Sequence, residues 1–99
     1  MKRVYIASPL RGNIAANIER AKEYCRKAAR HGVLPIAPHI YFTQFLDDDK
    51  PQERDAGIRM GLELLKLCDA VYVYGNTISE GMEQEILLAE SLGKEVLYF

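Results

Sequence analysis

Position 85 carries a carboxylate on the side of a helix that its neighbours make apolar. At about 100° of turn per residue, Met82, Ile86, Leu88, Ala89 and Leu92 spread over one arc, and Glu83 and Glu90 fall outside it. Glu85 falls inside it. A carboxylate among core positions is costly unless something pairs it or a reaction uses it. The chemistry it offers is that of a nucleophile, a general base or a general acid. The spacing alone leaves a second reading open: a glutamate at the margin of the core face that reaches solvent, helped by the helix dipole.

Other groups could serve the same chemistry. Ser79 suits the N-cap of that helix, Gly81 lets a ligand approach the backbone, and the free N–H groups of the first turn, through Met82, suit an anion. The stretch Ser8-Pro9-Leu10-Arg11-Gly12-Asn13 offers a hydroxyl, a guanidinium, a flexible glycine and a helix start, a cradle for a phosphate or a sugar. It is neither G-x-G-x-x-G nor G-x-x-x-x-G-K-[ST], so it supports neither a dinucleotide loop nor a triphosphate loop. His39 is a lone histidine able to act as acid or ligand, and Asn76 follows Gly75 at the exit of a strand. Tyr5, by residue type and place, reads as core. The run Asp47-Asp48-Asp49 lacks the spaced oxygens and glycine of a calcium loop and reads as solvated. No metal and no redox cofactor are expected.

The elements that must position these groups follow from periodicity. Residues 3–7 read as a buried strand stopped by Ser8-Pro9. Ile14, Ile18, Ala21, Cys25 and Ala28 recur at helical spacing from about Asn13 to Arg30, with Gly32 as a left-handed C-cap. Residues 33–36 form a second strand, which Pro35 marks as an edge. A polar stretch from Ala37 to about Gln52 reads as loop, followed by a helix from about Pro51 to Leu67. Residues 70–74 are the clearest strand. Ser79 opens a helix that ends at Gly93, and residues 95–99 close the chain as a fourth strand. Strands alternating with helices predict an α/β fold, a flavodoxin-like or Rossmann-like three-layer sandwich with four, or at most five, parallel strands. Ligands of such sheets bind beyond the carboxyl ends of the strands. The loops that matter are then 8–13, 37–50 and 75–81, while Asp69 lies on the opposite rim as a solvated or capping residue.

Composition narrows the partners. The 99 residues are 48% hydrophobic with a formal net charge of -1, so no basic excess draws the protein to a nucleic acid polymer or an anionic membrane. Cys25 and Cys68 form no metal-ligand pattern and read as reduced core thiols, in keeping with a cytoplasmic location. The apolar run at the start is too short for a signal peptide, and nothing approaches a membrane span.

Three stretches carry a resemblance to a known family: V-Y-I-A-S-P-L-R-G near the start, D-A-V-Y-V-Y-G, and S-E-G-M-E-Q-E-I-L-L-A-E-S-L-G-K. Over nearly its whole length the chain resembles the nucleoside 2-deoxyribosyltransferase-like superfamily as one domain, residues 1–99. Its motifs are nearest to the deoxyribonucleoside 5′-monophosphate N-glycosidases and to short bacterial and phage members. The resemblance implies that Glu85, followed by Ala89 and Leu92-Gly93-Lys94, is a nucleophile toward the anomeric carbon, and that Tyr5 orients it. It also implies that Ser79 contacts a 5′-phosphate and that Arg11 and Gly12 surround it. An ungapped alignment puts Gly61 where the family has an aspartate that assists the departing base, with Asp55 nearby. The chain ends at Phe99, short of the segment by which longer relatives complete a neighbouring subunit's site.

The expected function is N-glycosidic bond hydrolysis or deoxyribosyl transfer on a nucleoside or nucleoside 5′-monophosphate, in a homodimer or higher homo-oligomer. Two alternatives stand beside it. One is a nucleotide-binding module without catalysis, and the other is an oligomeric interaction protein in which Glu85 pairs across an interface.

Overall fold

The computed structural model describes residues 1–99. Eight elements alternate along the chain: β1 (Arg3–Ala7), α1 (Ile14–Arg30), β2 (Leu34–Ile36), α2 (Pro38–Phe42), α3 (Pro51–Leu67), β3 (Ala70–Val73), α4 (Glu80–Ser91) and β4 (Glu95–Tyr98). The four strands are parallel in the order β2-β1-β3-β4. This is the expected α/β sandwich, with strands ordered as in the flavodoxin-like sheet.

Two cores lie on opposite faces because successive side chains of a strand point in opposite directions. Val4 and Ile6 of β1 with Ala70 and Tyr72 of β3 pack beneath Ala28 of α1. Tyr5 and Ala7 with Val71 and Val73 pack against Leu65 of α3 and Met82, Ile86 and Ala89 of α4. Strand β2 is an edge strand, which accommodates Pro35 and its missing N–H. Strands β2 and β3 lie on opposite sides of β1, so the switch in strand order falls between β1 and β3. There the chain leaves Ala7 for the loop carrying Ser8 and Arg11.

Element ends follow local chemistry. Asn13 caps α1 by accepting from the Ala16 N–H at 3.2 Å, and Gly32 beyond the helix has φ +82°, as expected for a left-handed C-cap. The Asp69 carboxylate accepts from the Arg3 N–H at 2.8 Å and so caps β1 on the rim away from the switch point. Lys94 Nζ donates to the Lys66 and Cys68 carbonyls at 3.1 and 2.6 Å, tying the end of α3 to the start of β4. Cys25 and Cys68 are free thiols. No helix is long and apolar enough to cross a membrane.

The stretch read as a loop from Ala37 onward contains the short helix α2. Pro38 opens it with a φ suited to a helix start, and Thr43 Oγ closes it on the His39 carbonyl at 2.8 Å. Five residues are too few to show a helical period in sequence. The Asp47–Asp49 run also differs from a solvated loop, because the Asp48 side chain is only 14% exposed.

Ile6 is fully buried between β1's neighbours and α1, and Leu87 lies on the outer side of α4. In urea denaturation, Ile6→Ala is expected to cost about 2–5 kcal/mol, and Leu87→Ala less than about 0.5 kcal/mol.

Candidate active site

A cavity of about 440 Å³ opens above the carboxyl ends of β1 and β3. One wall is the β1–α1 loop with Ser8, Leu10 and Arg11, and opposite it stands the start of α4 with Ser79, Gly81, Met82 and Glu85. Helix α2 closes a third side through His39 and Phe42, and α3 a fourth through Arg54, Asp55 and Gly61. Tyr5 forms part of the floor.

The Tyr5 hydroxyl donates a hydrogen bond to Glu85 Oε2. Tyr5 is held mid-strand and almost fully buried, so its ring has little freedom and fixes the carboxylate. Gly61 eases the close approach of α3 to that hydroxyl: a Cβ there would lie 3.2 Å from the Tyr5 oxygen, a tight contact. Ser8 Oγ and His39 Nε2 are hydrogen-bonded at 3.1 Å on the cavity wall. Ser79 Oγ accepts from the Met82 N–H at 3.2 Å, leaving the serine's own proton free to be donated. The N–H groups of Glu80 and Gly81 stand in the first turn of α4, where no intrahelical acceptor exists.

Residues 2–99 match the family described as Domain of unknown function (DUF7768). The chain belongs to that family. In three dimensions this DUF7768 protein is similar to the 2-deoxyribosyltransferase of the psychrotolerant bacterium Bacillus psychrosaccharolyticus. The match has a TM-score of 0.70 and 21% identity and covers 98% of this chain and 71% of that one, a likeness of fold. No curated protein sequence matches the chain.

Of the residues singled out in sequence, the DUF7768 fold brings Tyr5, Ser8, Arg11, His39, Ser79, Gly81, Met82 and Glu85 around one cavity. Three are not part of its wall. Asn13 spends its side chain on capping α1. Gly12 shapes the loop instead, adopting a φ of +100° that L side chains rarely take. Asn76 belongs to a separate groove beside Tyr24 and Tyr74, because only the far end of the 75–81 loop, at Ser79, reaches the cavity.

Two further residues shape the site: Asp48, which reads as solvated in sequence, and Asn17, which does not stand out there. Arg11 Nε lies 3.0 Å from Asp48 Oδ2, off the hydrogen-bond direction, so this buried oxygen has a charge partner but no hydrogen bond. Asn17 is buried in α1 and its amide donates to the carbonyls of Leu10 and Arg11 at 2.9 and 3.2 Å. A polar residue four before Ala21 on the apolar stripe was the available signal. No group of three or more His, Cys, Asp or Glu side chains is arranged to hold a metal ion.

Burial sets the protonation states. It raises the Glu85 carboxyl from 4.5 to about 7, against the pull of the Tyr5 hydrogen bond. The Tyr5 hydroxyl is pushed well above its usual value by burial and then by the Glu85 charge, so it stays a donor. Burial lowers His39 to about 4, leaving a neutral imidazole at neutral pH.

Native Glu85 therefore holds a proton between pH 4.5 and about 7 that the unfolded chain has released. Stability falls as pH rises through that window, and the penalty is fully present above it. Glu85→Gln removes the charge, so it is expected to stabilise the protein at pH 8 by at most about 3 kcal/mol. That advantage should fade toward pH 4.5, as read from melting curves across pH.

Proposed function

We propose that this protein cleaves the N-glycosidic bond of a nucleoside or nucleoside 5′-monophosphate, with Glu85 as the nucleophile. The observation that carries the reading is a half-buried carboxylate, hydrogen-bonded by a buried tyrosine, inside a cavity at the switch point of the sheet. The similar fold of a 2-deoxyribosyltransferase supports it.

In this reading a Glu85 oxygen bonds to the anomeric carbon as the bond from that carbon to the base breaks, and the electron pair leaves with the base. The base takes up a proton from solvent water as it departs. Ser8 and the neutral His39 line the cavity as hydrogen-bonding groups open to the substrate. Tyr5 spreads the negative charge of the waiting carboxylate and holds one oxygen, leaving the other to attack. The glycosyl ester then passes its sugar to water, which is hydrolysis, or to a second base, which is transfer. Either outcome returns Glu85 as a carboxylate. Arg11 and the N–H groups at the start of α4 suit a 5′-phosphate.

A second reading, nucleotide binding without cleavage, draws on one observation. Gly61 faces the Tyr5 hydroxyl where the resemblance places an acid for the departing base. Incubation with the four deoxyribonucleoside 5′-monophosphates and their nucleosides, assayed for free base, separates the two. Release by the wild type that falls about a thousandfold or more in Glu85→Gln is expected for cleavage. The kcat/KM should be half-maximal near pH 7 and fall below it, because Glu85 titrates at about 7 and attacks only as the anion. Ligand binding with no free base would establish the second reading, and equal release by wild type and Glu85→Gln would remove Glu85 from the mechanism.

We further propose a homodimer or larger homo-oligomer. Leu97 and Tyr98 on the edge strand β4 are 39% and 59% exposed, apolar surface that association would cover. Light scattering at micromolar concentration should give the mass of at least two chains, and a single-chain mass would reject this.

A further inference from the structure

We infer that Asn17 is a positioning residue that sets Arg11 for an anionic group on the substrate and so selects phosphorylated over unphosphorylated nucleosides. The inference rests on the cleavage reading above and deepens it by naming the substrate class. Asn17 is 8% exposed on α1 and lies outside the cavity wall. A buried amide is retained at a cost unless its hydrogen bonds are made, and here both of its donor bonds go to one loop. Nδ2 donates to the carbonyls of Leu10 and Arg11, and Oδ1 accepts from Arg20 Nη1 at 2.9 Å. The Asn17 N–H makes the first backbone hydrogen bond of α1, to the carbonyl of its N-cap Asn13 at 2.9 Å.

Arg11 is thereby held at its backbone, and its side chain, 61% exposed, lies beside Asp48. Beyond Nε the guanidinium borders the cavity, and its terminal nitrogens make no hydrogen bond within the protein. A planar fork with free donors matches the paired oxygens of a phosphate monoester, and it offers nothing comparable to a bare 5′-hydroxyl. Loss of the Asn17 amide frees the Leu10–Arg11 backbone, and the cost falls on the ligand that uses Arg11.

The test compares Asn17→Asp and Asn17→Ala with Arg11→Ala and the double variant Arg11→Ala/Asn17→Asp. Asn17→Asp keeps the shape and the Arg20 contact but sets a carboxylate against the two carbonyls. Binding of each deoxyribonucleoside 5′-monophosphate and its nucleoside is measured by calorimetry in a Glu85→Gln background, so turnover is not required. Both Asn17 variants are expected to weaken the monophosphates by about tenfold and to leave the nucleosides within about twofold. The double variant is expected to bind no worse than Arg11→Ala alone, the mark of two residues acting through one contact. Equal weakening of monophosphates and nucleosides, or additive losses in the double variant, would overturn the inference and leave Asn17 a structural residue. Base release by the wild type judges the cleavage reading separately. If no nucleotide or nucleoside binds, both fall.

Discussion

The Tyr5 hydroxyl and the Glu85 carboxylate meet across the interior of one face of the sheet, and the geometry of the site depends on that contact. Tyr5 comes from the strand at the switch point and Glu85 from the helix that follows β3, so their meeting requires the sheet order, the register of β1 on β3 and the seating of α4 together. Met82, Ile86 and Ala89 seat α4 on the sheet by burying its apolar side, which turns Glu85 inward. A charge held there is expensive, and the Glu85 carboxyl correspondingly titrates near 7. Stability is given up at Glu85, a pattern common at functional sites.

The remaining polar groups are arranged around this pair by backbone devices. Gly12 turns the β1–α1 loop, Asn13 caps α1, and Asn17 fastens the loop from within the helix. Gly61 lets α3 pass close to the Tyr5 hydroxyl. Its helix loses some intrinsic propensity, roughly 1 kcal/mol relative to alanine, and the hydroxyl keeps its place beside Glu85. Charges of both signs face the cavity, and Arg11 and Asp48 partly neutralise each other at its rim.

Much of this was legible in the sequence because the signals are local. Period-2 and period-3.6 patterns mark the four strands and three long helices, Pro35 marks an edge strand, and Glu85 is conspicuous among Met82, Ile86 and Ala89. What was not legible depends on contacts between distant segments. Helix α2 is a single short turn stabilised by its proline and by packing between α1 and α3. Asp48 looks solvated within an aspartate run, but in the fold it is mostly covered and lies beside Arg11, far off in sequence. Asn76 lies in a loop of the right rim, but the turn after Gly75 leaves it in another groove. Part of the motif behind the resemblance is structural: Lys94 holds the carbonyls at the end of α3, on the rim away from the cavity.

The most direct test of Glu85 as nucleophile is peptide mass spectrometry of the protein, acid-quenched during reaction with a deoxyribonucleoside 5′-monophosphate. The account predicts a deoxyribosyl phosphate adduct on the peptide containing Glu85, absent from Glu85→Gln. An adduct on another residue, or base release by Glu85→Gln at the wild-type rate, would contradict it.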